Sequence, residues 1–187
     1  GSVFCPLPGS DRPTRALLKE IETLEAQLQQ TELPAEQREA ARTRLSELLQ
    51  HGDRIIRRTA ARALANVDIE ALEAQLRQPE LPAEQREMAR SRLEGFLQQD
   101  DDIIRWKAGS ALADVGDTRG IQWLIDRLDQ GDTTMQLLAK SQLERLTGQG
   151  EEWDRAAWKR WWKAHKDDPS LTRSREGRVS DFLKVDT

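Results

Sequence analysis

The chain has 187 residues, of which 33% are charged and 5% aromatic, and its formal net charge at pH 7 is −4. A single cysteine and two histidines exclude a disulfide framework and a cysteine-based zinc site, and no apolar run is long enough to span a membrane. The acidic balance argues against a protein dedicated to coating nucleic acid, so we expect a charged helical domain.

A leader or linker is predicted for residues 1–10, which contain two prolines and two glycines without periodicity. Gly1-Ser2 has the form of an expression-tag remnant, so we expect a trimmed N-terminus. A cytoplasmic location is slightly favoured, and an exported or membrane-anchored protein stays open because the N-terminus has a trimmed form. Cys5 is expected to be a free thiol rather than a lipidated end.

A repeat of 48 residues organises most of the chain. Residues 21–67 align with residues 69–115 without a gap, and 31 of the 47 aligned positions are identical. Chance does not produce this level of identity, and internal repeats of this length are typical of stacked helical units.

Each copy contains three segments with the spacing of an amphipathic helix. In the second copy, the first segment covers residues 69–78, with apolar residues every three or four positions. The second segment begins at Pro82, because proline is tolerated in the first helical turn. The third follows the acidic run at 100–102, whose carboxylates suit the positive end of a helix dipole. No segment alternates with a period of two, so no strands are predicted.

A divergent third unit follows at residues 117–148. Asp117 and Asp132 are predicted to cap its two helices, and a Thr-Gly pair ends the second at Gly148. A tryptophan-rich capping helix at 153–165 completes the helical region. This region spans residues 11–166 and leaves residues 167–187 as a polar tail.

Short amphipathic helices in such units bury their apolar stripes only by stacking on one another. The sequence therefore predicts an all-α fold, a right-handed α-solenoid of about nine helices. We expect it to be a monomer.

Two stretches resemble HEAT repeats of the short bacterial type, DRIIRRTAARALANVD at 53–68 and DDIIRWKAGSALADVGDTRGIQWLIDRL at 101–128. Both begin with Asp, a β-branched residue and Arg, and continue into an Ala-rich helix. The segment LERLTGQGEEWDRAAWKRWW is similar to the end of many bacterial HEAT domains. The middle helix of each copy departs from a two-helix repeat, so a three-helix, armadillo-like unit stays open. The resemblance implies an interaction scaffold, although a few related proteins are phycobilin lyases or DNA glycosylases.

Arg57 and Arg105 occupy equivalent positions in the two copies. The resemblance implies that each pairs with a carboxylate of a neighbouring unit, for which Asp68 and Asp117 are the candidates. We expect this role to be structural.

Positions that differ between the two copies are free to carry specificity. Arg58, Thr59 and Arg62 of the first copy are replaced by Trp106, Lys107 and Ser110 in the second. Residues four apart share a helix face, so an exposed binding strip across adjacent units is one hypothesis and a solvated surface is the other. The candidate partner-binding residues are Arg58, Arg62, Trp106, Lys107 and Trp123.

Four tryptophans near the C-terminus, Trp153, Trp158, Trp161 and Trp162, alternate with basic residues. Such a mixture could bind nucleic acid by charge and stacking. Three of the four share one helix face, however, which favours a structural cap over the last core face. Residues 151–187 contain 9 Lys/Arg and 8 Asp/Glu, so nucleic acid is not the predicted partner.

No catalytic residue, metal site or cofactor is predicted. His51 and His165 have no companion ligand nearby in the sequence, and helix capping explains the acidic run at 100–102. A glycosylase would need Asp114 or Asp117 as the catalytic carboxylate in a basic, aromatic cleft, and the acidic balance argues against this.

We therefore expect a non-enzymatic scaffold that presents a curved helical surface to another protein. The alternatives are a phycobilin lyase-like or DNA glycosylase-like HEAT protein, and a soluble part of a membrane-anchored protein.

Overall fold

The computed structural model describes residues 11–130, 132–148 and 152–167. The predicted leader, with Cys5, and all but the first residue of the predicted tail lie outside these ranges. Every regular element within them is an α-helix, so the predicted all-α class is confirmed.

Eight helices occur in the described part of the chain: α1 Asp11–Leu28, α2 Ala35–Leu48, α3 Arg54–Leu76, α4 Ala83–Phe96, α5 Asp102–Asp114, α6 Thr118–Gln130, α7 Thr133–Thr147 and α8 Arg155–His165. Consecutive helices pack on one another, α1 on α2, α4 on α5, α5 on α6 and α6 on α7, and α8 packs on α6. Packing between neighbours in sequence is typical of helical repeat proteins.

Helix α3 explains why eight helices form where about nine are expected. It runs unbroken through the last predicted segment of the first copy and the first segment of the second. At the equivalent junction in the second copy, Gly116 adopts a φ of 77° just after α5 ends. The first copy has Asp68 at this position. Because glycine adopts positive φ far more readily than other residues, the first copy lacks the residue that ends the helix.

The chain divides into two compact units, Gly1–Asp68 and Ile69–Thr187. In the first unit, the described helices bury a core that includes Ile21, Leu45 and Ile56. In the second unit, α6, α7 and α8 supply most of a separate core that contains four of the six tryptophans: Trp123, Trp158, Trp161 and Trp162.

The helix ends of the second unit follow the predicted local chemistry. The Asp101 carboxylate accepts hydrogen bonds from two backbone N–H groups in the first turn of α5, at 2.9 and 3.2 Å. Asp132 and Asp154 cap α7 and α8 in the same way, each at 2.8 Å. Gly148 ends α7 with a φ of 66°, a left-handed conformation that glycine adopts without strain.

One arginine contact occurs in both sequence copies. Arg38 donates to two backbone carbonyls at the end of α1, at 3.0 and 2.8 Å. Its counterpart, Arg86, donates to two carbonyls at the end of α3, both at 2.8 Å. The last carbonyls of a helix have no partner within it, so each arginine fastens one helix end to the helix that follows.

Candidate functional site

The predicted tryptophan cap lies in the core of the second unit. Trp158, Trp161 and Trp162 are buried along one face of α8, and the half-buried Trp153 packs against the same core. Ring centroids are 4.9 Å apart between Trp153 and Trp158 and 5.8 Å apart between Trp158 and Trp161, in edge-on arrangements that stabilise aromatic clusters. Buried indoles have no face available for stacking on a nucleic-acid base, which supports the structural interpretation.

Helix α8 is also held by polar contacts. The Trp162 indole Nε1–H donates to the Gln122 side-chain carbonyl of α6 at 2.5 Å. The His165 ring stacks on Trp161 with centroids 5.0 Å apart, and its Nδ1 lies 2.7 Å from the Trp161 carbonyl. These contacts give His165 a structural role at the end of the helix.

Two of the candidate binding residues, Trp106 and Trp123, are in contact with each other. Their ring centroids are 5.8 Å apart, and the guanidinium of Arg127 lies 5.0 Å from the Trp123 ring centroid. Trp123 is 9% exposed and belongs to the core, whereas Trp106 is half-buried at its margin. A cation over an indole face stabilises both groups. The cluster is therefore a rigid wall rather than a pair of projecting anchors.

The other candidates are divided between the two units. Arg58 is exposed and Arg62 is half-buried on α3 within the first unit, while Lys107 is half-buried on α5 in the second. The proposed strip across adjacent repeats therefore stays a prediction.

An open groove of about 510 Å³ lies in the second unit beside this wall. Its apolar surface comes from Leu97, Trp123 and Trp162, and its polar rim carries groups of both signs. The charged and polar lining residues are Glu94, Gln98, Arg105, Thr118, Arg119, Gln122, Asp126, Arg127, Lys166 and Asp167. This volume falls within the range of ligand sites in proteins, and apolar walls with a few fixed polar groups are their usual lining.

A network of charged groups fixes one side of the groove. Arg119 donates to the buried Asp117 carboxylate at 2.9 and 3.0 Å and to Glu94 at 2.7 Å. The hydrogen bond to Asp117 raises the pKa of Arg119, and burial opposes this shift. Arg90 also faces Asp117, with 3.4 Å between nitrogen and oxygen. Asp117 thus combines helix capping with an ion-pair network that holds α4 to α6.

The arginine partners predicted from the family resemblance were wrong. Arg57 donates to the carbonyls of His51 and Gly52, at 2.6 and 2.8 Å. Arg105 donates to the Gln99 carbonyl at 2.6 Å and to the carboxylate of Asp102 in its own helix.

The physical reason is distance along the chain. In both copies the arginine follows a loop by one turn and donates to carbonyls of that loop, which lie closer along the chain than the candidate carboxylates. The two candidate carboxylates have other arginine partners: Asp68 binds Arg42 at 2.6 Å, and Asp117 binds Arg119. Sequence reasoning thus found four residues with polar contacts but paired them incorrectly.

Several groove residues were absent from the sequence prediction. Arg127 lies four residues after Trp123, a spacing that places the two on one helix face and could have revealed the contact. Gln122 and Trp162 are 40 residues apart, and no local signal connects them.

The carboxylates considered for catalysis are both engaged. Asp114 accepts from Arg145 at 2.8 Å and from Gln142 at 3.3 Å, and Asp117 is held as described above. Within the described residues, no group of three His, Cys, Asp or Glu side chains is arranged to hold a metal ion. The same residues include no helix that is both long and apolar enough to cross a membrane.

Comparison with known proteins connects this geometry to a family. A family model of HEAT repeats matches residues 43–144, more than half of the chain. No curated protein and no solved structure matched the chain. The matched region contains the junction between the two sequence copies and the whole of α5 and α6. The chain therefore belongs to the HEAT-repeat family.

Proposed function

We propose that this protein is a non-enzymatic interaction module that binds a short segment of another protein in the groove of its second unit. HEAT repeats commonly serve as protein-interaction scaffolds, and their stacked helices create extended binding surfaces. The observation that carries the proposal is the groove itself, in which the indoles of Trp123 and Trp162 lie among charged groups of both signs.

The lining suits a peptide better than a reacting substrate. Trp123 and Leu97 offer apolar area, while Gln98 is an exposed side chain at the edge. The principal charged groups, Arg119 and Glu94, already satisfy each other at 2.7 Å. A binding surface with fixed apolar anchors and a polar rim is typical of protein interfaces.

The test blocks the groove without disturbing the core. Gln98→Trp adds a bulky side chain at the groove edge, and Gln99→Trp adds the same side chain at an exposed neighbour that does not line the groove. Each variant and the original protein are immobilised and exposed to extracts of the native host, and retained proteins are quantified by mass spectrometry.

We expect at least one protein to be retained equally by the original chain and Gln99→Trp, and to fall about tenfold or more with Gln98→Trp, which is a loss of about 1.4 kcal/mol. Equal retention by the two tryptophan variants would contradict the proposal, because the groove would then play no part in binding.

A further inference from the structure

The exposed outer face of α8 carries basic residues and two alanines. At 100° per residue, Lys159, Arg160 and Lys163 fall on the side away from the buried tryptophans. Arg155 and Lys166, at the two ends of the helix, flank this side next to Trp162, and all five cations are exposed. The other exposed positions of the helix are Ala156 and Ala164. Within α8, Arg155–His165, no residue is acidic although the chain has a net charge of −4, and the exposed Asp167 follows directly after Lys166.

Neighbouring residues neutralise only one end of the face. Asp129 of α6 pairs with Arg155 at 3.3 Å and with Lys159, and the hydrogen bond from Lys159 lowers the pKa of Asp129. Arg160, Lys163 and Lys166 make no ion pair with any residue in the described part of the chain. These three cations are spaced three residues apart, and all are exposed.

Core packing does not account for these cations. The buried indoles hold α8 in place from the other side, so the outer face adds nothing to the core. The helix dipole favours cations near the C-terminal end, which suits Lys163 and Lys166. It disfavours them in the first half, where Arg155, Lys159 and Arg160 lie. The Asp129 ion pairs account for Arg155 and Lys159 and the dipole suits Lys163 and Lys166, but neither accounts for Arg160.

The basic face is continuous with the groove. Lys166 at the end of α8 lines the groove together with Trp162, so a segment that leaves the groove there meets the row of cations. Eleven residues of helix span about 16 Å, the length of roughly five residues of extended peptide. An acidic stretch of that length would place its carboxylates along the row.

Two other polyanions fit less well. Nucleic-acid binding proteins add stacking to charge, and the three indoles of α8 are buried. Binding to an anionic membrane would draw on apolar side chains beside the cations, and the face has only alanines.

We infer that the outer face of α8 docks an acidic segment of a partner protein, adjacent to the portion held in the groove. This inference rests on the proposed function and specifies its partner chemistry: a carboxylate-rich stretch next to the segment that enters the groove.

Fluorescein-labelled decaglutamate is the probe, with decaglutamine as the uncharged control, in fluorescence anisotropy titrations at about 50 mM salt. The test variant is Arg160→Gln/Lys163→Gln/Lys166→Gln. A charge-matched control, Lys19→Gln/Arg54→Gln/Arg92→Gln, removes three exposed cations from other helices. A third variant, Asp129→Asn, releases Arg155 and Lys159 from their carboxylate.

We expect decaglutamate to bind and decaglutamine not to bind. Loss of three surface charge contacts should weaken decaglutamate binding about tenfold or more in the test variant, and by less than about twofold in the charge-matched control. Asp129→Asn should strengthen binding a few-fold, and about 200 mM salt should weaken it in every variant that binds.

Three results would overturn the inference: no binding of decaglutamate, equal losses in the two triple variants, or tighter binding of a 20-nucleotide single strand or of phosphatidylserine vesicles.

The Gln98→Trp variant leaves α8 unchanged, so it separates this inference from the proposed function. If Gln98→Trp and Gln99→Trp retain the same proteins equally while decaglutamate still binds, only the proposed groove function is refuted. The converse result would refute only the acidic-segment inference.

Discussion

Gly109 lies directly against the indole of Trp123. A Cβ atom built at position 109 would be 2.3 Å from Cε3 of the ring, closer than any real contact. The first sequence copy has Ala61 at the equivalent position. The glycine of the second copy therefore allows the tryptophan of α6 to lie close against α5, where it lines the groove.

This contact predicts that Gly109→Ala destabilises the protein, although alanine is the better helix former. Overpacking against a fixed ring should cost about 1–3 kcal/mol in the free energy of unfolding, measured by urea denaturation. Gly95→Ala is the control, because a Cβ there meets nothing within 4 Å. It should stabilise α4 by about 0.5–1 kcal/mol. Equal effects of the two substitutions would contradict the close packing.

The tryptophan cap predicts that substitutions at two nearby positions of α8 change the free energy of unfolding by very different amounts. Trp158 is fully buried, so Trp158→Ala should lower the free energy of unfolding by about 3–5 kcal/mol. Arg160→Ala, two residues away on the exposed face, should change it by less than about 0.5 kcal/mol. If Trp158→Ala left stability intact, the structural interpretation of the C-terminal tryptophans would fail.

The acidic run at the start of α5 gives a third prediction. Asp101 caps the helix, so Asp101→Ala should lower stability by about 1 kcal/mol, while Asp100→Ala, at an exposed position before the cap, should have little effect. Thermal denaturation measures both. Millimolar calcium should leave the melting temperature of the original protein unchanged, and an increase would favour a metal site over capping.

Glu73 on α3 makes stability depend on pH. Burial raises its pKa above the usual value, Arg77 opposes the shift, and the Asp114 carboxylate adds to it. Since the folded-state pKa exceeds the unfolded one, the ionised carboxylate destabilises the fold. This cost is absent below the unfolded-state pKa and complete above the folded-state pKa.

Glu73→Gln should therefore raise the melting temperature at pH 7.5, and the gain should shrink to nothing near pH 3.5. Glu80→Gln, an exposed carboxylate in the following loop, serves as the control. A gain from Glu73→Gln that is the same at both pH values would show that the charge of Glu73 is not its cause.

The sequence predicted the helices well because periodicity and capping residues act locally. Asp101 and Asp132 begin their helices and Gly148 ends one, as expected, since each effect depends on a few adjacent residues. The continuous α3 was missed, although Asp68 in place of a glycine was a readable sign.

The candidate site was predicted only in part. Trp106 and Trp123 were both selected, and they do touch. The groove depends on contacts such as that of Gln122 with Trp162, whose separation in sequence gives no hint of proximity. The arginine partners failed for a related reason, because loop geometry rather than residue type decides which oxygen a guanidinium reaches.

Site-specific photo-crosslinking tests the central claim most directly. A photoreactive amino acid replaces Gln98 at the groove edge or, as a control, the exposed Gln85 roughly 20 Å away near the start of α4. Each protein is irradiated in living cells of the native host, and crosslinked products are identified by mass spectrometry. The account predicts that position 98 gives a covalent adduct with a specific protein, through a carboxylate-rich stretch or a segment next to one, and that position 85 does not. Adducts that are the same from both positions, or absent from position 98, would contradict it.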